Sequence, residues 1–365
     1  MLNTLLAFFA AAILAAVFTP LAIRLAWATD FLDRPISPLK TQREPVAYLG
    51  GLAIALAFGL AVLLLKFSLA PSVGFAPWPL GLERGRGVYA IGLGGLLALG
   101  LGLLDDRKAL GPGLKFLGQV AGALVLVWCG LRVRFVSSAW LSAVLTVLWV
   151  VTVTNALNFV DILDGLASSV CAAAAVVFWV FALHGGRGND ALAAAALAGA
   201  CLGFLPFNWK PARVYMGDAG SHFLGFTLAA ISLNLRYSHQ NGLAVLAPLV
   251  ILFLPLFDLA LMIVIRTRKG LPPWKGSPDH TPLRLKALGL SVPAVALCLS
   301  GLTLGLGMLV YGASFLDLDR ALWVWAGLGV SALAAAFWLM GIPMPHDRSP
   351  KPETGHFQPS EKRSV

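Results

Sequence analysis

Five aspartates in three short segments carry the chemistry this sequence can offer. Asp105 and Asp106 are adjacent and end the apolar run GLLALGLGLLDD, Asp161 and Asp164 lie in TNALNFVDILDGLA, and Asp218 lies in YMGDAGSHFLGF. Adjacent carboxylates repel each other unless a cation or hydrogen-bond donors stand between them. A spacing of i, i+3 puts Asp161 and Asp164 on one face of a helical turn, with Asn155 and Asn158 one and two turns back, so an apolar segment carries a polar stripe. Gly217 and Gly220 bracket Asp218, and Ser221 opens the next apolar run. A glycine-rich turn before a helix presents backbone N–H groups to an anion, and a carboxylate there can hold a hard metal against phosphates. Any one of these acids alone is as readily a solvated cap. Basic residues shift the balance: Lys40, Arg43, Lys115, Arg266, Arg268 and Arg284, facing aspartates, point to Mg²⁺ and phosphate together rather than to a bare cation site. The Arg266, Arg268, Lys269 cluster also reads as an ordinary basic anchor at a membrane surface.

Composition says what must position these residues. The chain has 365 residues, 58% of them hydrophobic and only 12% charged, with a mean hydropathy of +0.82, which excludes a soluble protein. The 22 prolines and 38 glycines exclude a long coiled coil, and no regular ten-residue alternating segments mark an outer-membrane barrel. Lipid then leaves helices, because every backbone polar group must be satisfied within its own segment. The expected fold is all-α, a polytopic membrane bundle of about eleven spans near 2–27, 46–66, 88–104, 114–131, 137–154, 162–183, 190–207, 221–236, 242–265, 289–311 and 320–341. Nineteen of the 27 Lys and Arg residues fall in odd-numbered loops or the tail, which predicts an outward N-terminus and a cytoplasmic C-terminus. Residues 1–341 form the transmembrane domain in this reading, and 342–365 a polar, proline-rich tail expected to be disordered. The three aspartate segments all end at odd loops, so the topology brings them to one face. Cys129, Cys171, Cys201 and Cys298 sit in apolar runs with no CxxC pair, which indicates neither zinc nor a disulfide framework.

At these residues the chain resembles the MraY/WecA-like family of polyprenyl-phosphate N-acetylhexosamine-1-phosphate transferases, in its WecA-like branch. The likeness runs nearly the whole length through ordered motifs: DRPISPLKTQREPVAYLGG (33–51), DDRKALGPGLKFLGQ (105–119), NALNFVDILDGLA (155–167), PARVYMGDAGSHFLGF (211–226) and DHTPLRL (279–285). The resemblance implies transfer of a sugar 1-phosphate from a UDP-N-acetylhexosamine, such as UDP-GlcNAc, to undecaprenyl or another polyprenyl phosphate with release of UMP. It implies Mg²⁺ as the metal, with Mn²⁺ as a substitute, a multi-pass protein of the cytoplasmic membrane with its active site on the cytoplasmic face, and a role in initiating cell-surface glycan synthesis. Nucleic acid has no part in it, and a homodimer is compatible with it. Carried over by position, Asp218 is the metal ligand; Asp105, Asp106 and Asp161 are catalytic; Lys40, Asn158, Asp161, Asp164 and Tyr215 bind the nucleotide, with Tyr215 stacking on uracil; and Lys115, His280 and Arg284 meet phosphate or diphosphate. Three departures stand out. Ile162 occupies a position where the family often has Gly, Gln42 one where it commonly has His, and Pro282 and Leu283 replace two histidines of the last cytoplasmic loop. That last change argues against the muramoyl-pentapeptide branch.

Both reacting groups are anionic, so the expected catalysis is positioning and charge neutralisation. A phosphate monoester has its second pKa at roughly 6 and needs little help from a general base. Two other classes compete. A proton-coupled transporter would hold its carboxylates near the midplane, where only Asp258 approaches, and a lipid-binding scaffold would not need three acidic motifs on one face. UMP release from UDP-sugars separates the three.

Overall fold

The computed structural model describes residues 1–35, 44–68, 82–272 and 278–344, with the backbone alone for 67, 68 and 82–86. Lys40 and Gln42 of the first loop and most of the expected tail lie outside the described residues. The chain runs through α1 (Leu2–Ala28), a ribbon of β1 (Leu32–Asp33) and β2 (Val46–Ala47), α2 (Gly50–Ser68), α3 (Leu82–Arg107), α4 (Pro112–Trp128), α5 (Ala139–Val160), α6 (Leu166–His184), α7 (Gly188–Asn208) and α8 (Gly217–Asn234). A short 3₁₀ turn (Gly242–Leu246), α9 (Ala247–Ile251), α10 (Phe253–Arg268), α11 (Thr281–Ala287), α12 (Val292–Ala313) and α13 (Leu318–Met340) complete it.

This is a polytopic helical membrane protein. Each of the eleven expected apolar runs is helical, but among the described residues seven helices are long and apolar enough to cross a membrane: α1, α3 from Gly87, α5, α6, α7, α12 and α13. The ninth run makes an eighth span only as a bent pair, with a 73° break between Gly242–Ile251 and Phe253–Arg268. Pro255 supplies a reason for the break, since it has no N–H for the carbonyl of Ile251. The helices Gly50–Lys66 and Pro112–Trp128 are apolar but shorter. The eighth run also starts earlier than expected, at Gly217 rather than 221.

The expected polar stripe through Asn155, Asn158, Asp161 and Asp164 is broken. α5 ends at Val160 with Asp161 as its C-cap, and α6 begins after Gly165, whose φ of +76° no L-residue adopts readily. The two aspartates therefore sit in the turn between two helices and not on one helical face.

Packing rather than hydrophobicity holds such a bundle together, because lipid tails are as apolar as leucine. α1 lays a stripe of small buried residues, Ala7, Ala11, Ala15, Thr19, Ala22 and Ala26, against its neighbours. A Cβ on Gly199 or Gly203 of α7 would overlap the α1 backbone at Phe8 and Ala12, so the two helices touch backbone to backbone. α8 is the central helix, buried from Ala219 to Ser232 and packed against α2, α3 and α5. α13 is the opposite case, with Ala321 and Leu339 its only buried residues. Connections alternate ends: the loops after α1, α3, α5 and α7 meet one another around the N-terminus of α8, and the loops after α4 and α6 meet the C-terminus of α8.

Candidate active site

The N-terminus of α8 is the point on which the acidic segments converge. β2 leads in by pairing with the segment before it: the Tyr215 N–H donates to the Ala47 carbonyl at 2.9 Å, and the N–H groups of Gly50 and Gly51 donate to the carbonyls of Tyr215 and Met216 at 3.0 Å each. Gly51 and Gly102 then let α2 and α3 close onto the first turn of α8, since a Cβ on either would overlap backbone atoms of Gly220 or Ala219.

Asp106 uses both carboxylate oxygens on that turn. It accepts from the backbone N–H of Asp218 at 2.8 Å and of Ala219 at 3.0 Å, capping two donors that a helix start leaves without partners. Gly217 (φ +70°) makes room for it: a Cβ there would lie 2.5 Å from an Asp106 oxygen. The Asp105 carboxylate accepts from Leu110 N–H at 2.6 Å and forms an ion pair with Lys115 of α4. Lys115 also bonds Asp218 at 2.9 Å, so one ammonium bridges two carboxylates. The other Asp218 oxygen accepts from the Asn158 amide at 2.9 Å, and the same amide donates to Ser221 Oγ at 2.9 Å. His222 Nδ1 lies 2.7 Å from the Asp218 carbonyl. Gln119 and Asn155 exchange side-chain hydrogen bonds one turn behind.

Asp164 and Tyr215 form the other half. Asp164 accepts from Ala212 N–H at 3.1 Å and pairs with Lys210 at 3.2 Å. The Tyr215 ring stands edge-on to Tyr48 with centroids 6.5 Å apart. Burial, then the charges of Asp164, Asp33 and Asp161, push the Tyr215 phenol up. Asp161 lies between the halves: burial first, then the charges of Asp218 and Asp164, push its carboxyl up to about 7. Tyr48 was not visible as a site residue in the sequence. Burial and the charges of Asp106, Asp218, Asp161 and Asp33 push its phenol up, which marks it as a neighbour of the acids. The signal that could have found it is its place in the AYLGG segment immediately before α2.

The last loop is organised from behind. Asp258 of α10 binds His280 Nδ1 at 2.7 Å and Thr281 N–H at 2.6 Å, so this intramembrane acid buttresses the start of α11. His280 also lies edge-on to Phe159, next to Asn158, with centroids 6.0 Å apart. Arg284 is placed differently from a ligand contact. It is 3% exposed, and its guanidinium donates to the carbonyls of Asp279 (2.8 Å), Leu339 (2.9 Å) and Ile342 (3.0 Å) and to the Asp279 carboxylate (3.0 Å). It ties α11 to the end of α13.

Among the described residues no group of three or more His, Cys, Asp or Glu side chains is arranged to hold a metal. Mg²⁺ does not need one, since it is ordinarily held by one or two carboxylates with waters and substrate phosphates. Asp218 and Asp105, already sharing a cation in Lys115, fit that requirement.

Comparison with known proteins gives the family. The model of glycosyl transferase family 4 matches residues 88–236, the stretch from α3 to α8 that carries Asp105, Asp106, Lys115, Asn158, Asp161, Asp164 and Asp218. The chain is 31% identical over 300 residues to a probable undecaprenyl-phosphate N-acetylglucosaminyl 1-phosphate transferase of Bacillus subtilis, covering 80% of this chain and 79% of that protein. It is 33% identical over 329 residues to a decaprenyl-phosphate N-acetylglucosaminephosphotransferase of Mycobacterium tuberculosis, covering 78% and 79%. A phospho-N-acetylmuramoyl-pentapeptide-transferase of Limosilactobacillus fermentum is 34% identical over 200 residues, covering 51% of this chain and 61% of its own. With relatives aligned over more than two thirds of their length and the family's own match lying across the aspartate cluster, the chain belongs to glycosyl transferase family 4, as a multi-pass membrane phosphoglycosyl transferase.

Proposed function

We propose that the protein transfers N-acetylglucosamine 1-phosphate, or a close N-acetylhexosamine analogue, from its UDP-sugar to a polyprenyl phosphate, releasing UMP at the cytoplasmic face of the membrane. The observation that carries the reading is the single ammonium of Lys115 bridging Asp105 and Asp218 at the N-terminus of α8. An oxygen of the lipid phosphate attacks the sugar-bearing phosphorus, a new P–O bond forms as the bond to the UMP oxygen breaks, and the lipid leaves as a diphosphate sugar. Two anions must meet, so the work of the site is neutralisation and alignment.

Mg²⁺, when bound, supplies charge neutralisation for the diphosphate and the departing UMP. Asp218 would hold it, with Asp105, which shares the Lys115 ammonium with Asp218, as the neighbouring carboxylate. Lys115 offsets phosphate charge, Asn158 holds the Asp218 carboxylate in orientation, and Asp106 fixes the helix turn on which Asp218 stands. Tyr215, with Tyr48 beside it, offers the face on which uracil stacks, and Asp164, whose charge acts on Tyr215, is the acid that binds the base in this reading. His280, held through Nδ1 by Asp258, keeps Nε2 for the diphosphate. Arg284 positions that loop and does not touch substrate.

The test is UMP release by the purified protein given polyprenyl phosphate and UDP-GlcNAc, UDP-GalNAc or UDP-N-acetylmuramoyl-pentapeptide, with and without Mg²⁺. The last donor addresses the second reading, which the muramoyl-pentapeptide relatives favour. Mg²⁺-dependent release with an N-acetylhexosamine donor is expected. Release with the pentapeptide donor alone favours the second reading, and none with any donor overturns both. Near-normal release by Asp218→Asn at saturating Mg²⁺ refutes the metal assignment.

A further inference from the structure

At the other end of the bundle lies a cavity that this chemistry does not use. It has a volume of about 550 Å³ and is lined by the start of α3, the turn after α4, the turn between α6 and α7 and the end of α8. Val88 and Asp105 bound the same helix, as do Asn234 and Asp218, so at 1.5 Å per residue the cavity stands about 25 Å from the aspartate cluster.

Its charged lining is two arginines and one aspartate. Arg134 and Arg187 face into the cavity with Asp190 and Asn234, and Arg236 adjoins Gly185 at its edge. The acid attracts Arg134 and Arg187 but makes no ion-pair contact with either. Asp190 is 2% exposed, and both its oxygens accept from the Asn234 amide, at 2.9 and 2.8 Å. The Asn234 oxygen in turn accepts from Arg134 at 3.1 Å. An amide thus stands between carboxylate and guanidinium, and among the described residues none of the three arginines has a carboxylate within ion-pair distance. Arg187 Nε is buried and makes no hydrogen bond. Burial, then the like charges of Arg134 and Arg236, hold its guanidinium below the ordinary value, against the weaker opposing pull of Asp190. A cluster of like charges beside an orphaned buried donor is costly unless an anion completes it, and guanidinium forks match phosphate oxygens.

We propose that this cavity is a second anion site, which takes the phosphate of a phosphate ester at the end of the molecule away from the aspartates. The ester is either a lipid headgroup of that leaflet or a water-soluble compound, and both present the same tetrahedral anion to Arg134 and Arg187.

The test uses the full chain in nanodiscs of zwitterionic lipid, with inorganic phosphate as the probe. Cys129 lines the cavity and reports on it, and Cys298 of α12, which does not line it, is the internal reference for a lipid-permeant alkylating reagent. Phosphate added at constant ionic strength is expected to slow alkylation of Cys129 about fivefold at saturation, to leave Cys298 unchanged, and to lose this effect in R134Q/R187Q while R134K/R187K keeps part of it. Equilibrium dialysis provides a readout independent of thiol reactivity: wild type binds one phosphate equivalent more than R134Q/R187Q, with transferase turnover the same in both. Discs containing phosphatidylglycerol separate the sources. Protection of Cys129 there without added phosphate identifies a lipid headgroup, whereas protection only by added glycerol 3-phosphate identifies a soluble ester. Equal phosphate stoichiometry in wild type and folded R134Q/R187Q overturns the proposal. If the double variant does not fold, failure of phosphate to bind or to protect Cys129 in the wild-type chain overturns it.

Discussion

Asp106 separates two meanings of an adjacent acid pair, and its replacement by alanine tells them apart. In the structure both oxygens of Asp106 are spent on the backbone N–H groups of Asp218 and Ala219. Leaving a buried donor without its hydrogen-bond partner costs about 1–3 kcal/mol. Asp106→Ala leaves two donors unpaired at the start of α8 and is expected to cost about 2–6 kcal/mol. Asp106→Asn keeps one acceptor oxygen and is expected to cost about half as much. Unfolding in mild detergent, followed by intrinsic fluorescence from the tryptophans, measures both. UMP release per folded molecule is expected to fall as well, because the first turn of α8 carries Asp218. The order of effects decides: stability falls in the order wild type, Asn, Ala, and activity follows it. A variant as stable as wild type yet slowed about a thousandfold, some 4 kcal/mol of barrier, would mean that Asp106 meets the substrate and the capping argument is wrong.

Three further outcomes follow from neighbouring groups. Lys115→Met leaves Asp105 and Asp218 without their shared cation, so the metal-free variant should unfold at lower temperature than wild type and regain more of the loss on addition of Mg²⁺; an equal Mg²⁺ effect on both proteins counts against a metal near these carboxylates. Arg284→Ala strands the carbonyls of Asp279, Leu339 and Ile342, for an expected loss of about 3–5 kcal/mol, while KM for the UDP-sugar in the folded fraction moves less than about threefold; normal stability with a raised KM would place the guanidinium on the diphosphate. Burial raises the Asp161 carboxyl to about 7, against about 3.9 in an unfolded chain; the folded state then binds the extra proton, its stability falls as pH rises through that window, and Asp161→Asn should stabilise the metal-free protein at pH 8 but not at pH 4. The same gain at both pH values would refute it.

The fold was legible where a single physical pressure acts along the chain. Lipid demands apolar helices, and each of the eleven apolar runs is helical. Reading failed where local chemistry interrupts the pattern. The LDGLA turn has the composition of a continuing helix, yet Gly165 adopts a positive φ and separates Asp161 and Asp164 from the α5 face. The 73° break beside Pro255 is hidden in the same way, because every residue around it is apolar and hydropathy does not register a missing N–H. The ribbon of β1 and β2 is only two residues long on each side, too short for a period to show.

The site shows a sharper limit. Residue type identified the acids, and loop parity correctly put their segments together around α8, because adjacent loops of a bundle must alternate ends. What parity cannot say is which donor each acid meets. Asp105 and Asp106 are neighbours in sequence with different duties, one sharing an ammonium with Asp218 and the other holding the α8 backbone, since consecutive residues on a helix point about 100° apart. Arg284 was expected to meet diphosphate from its place in the DHTPLRL motif, yet it is sunk among main-chain carbonyls. At the opposite end the failure runs the other way: Arg134, Arg187 and Arg236 belong to three different connections, and each alone is an ordinary basic residue at a helix end. Only the close packing of α8 with its neighbours gathers Arg134 and Arg187 round one cavity and brings the charge of Arg236 near it. Charge scattered along a membrane chain is therefore informative about which end of the bundle it occupies, and becomes informative about ligands only once the helix that carries both ends, here α8, is in place.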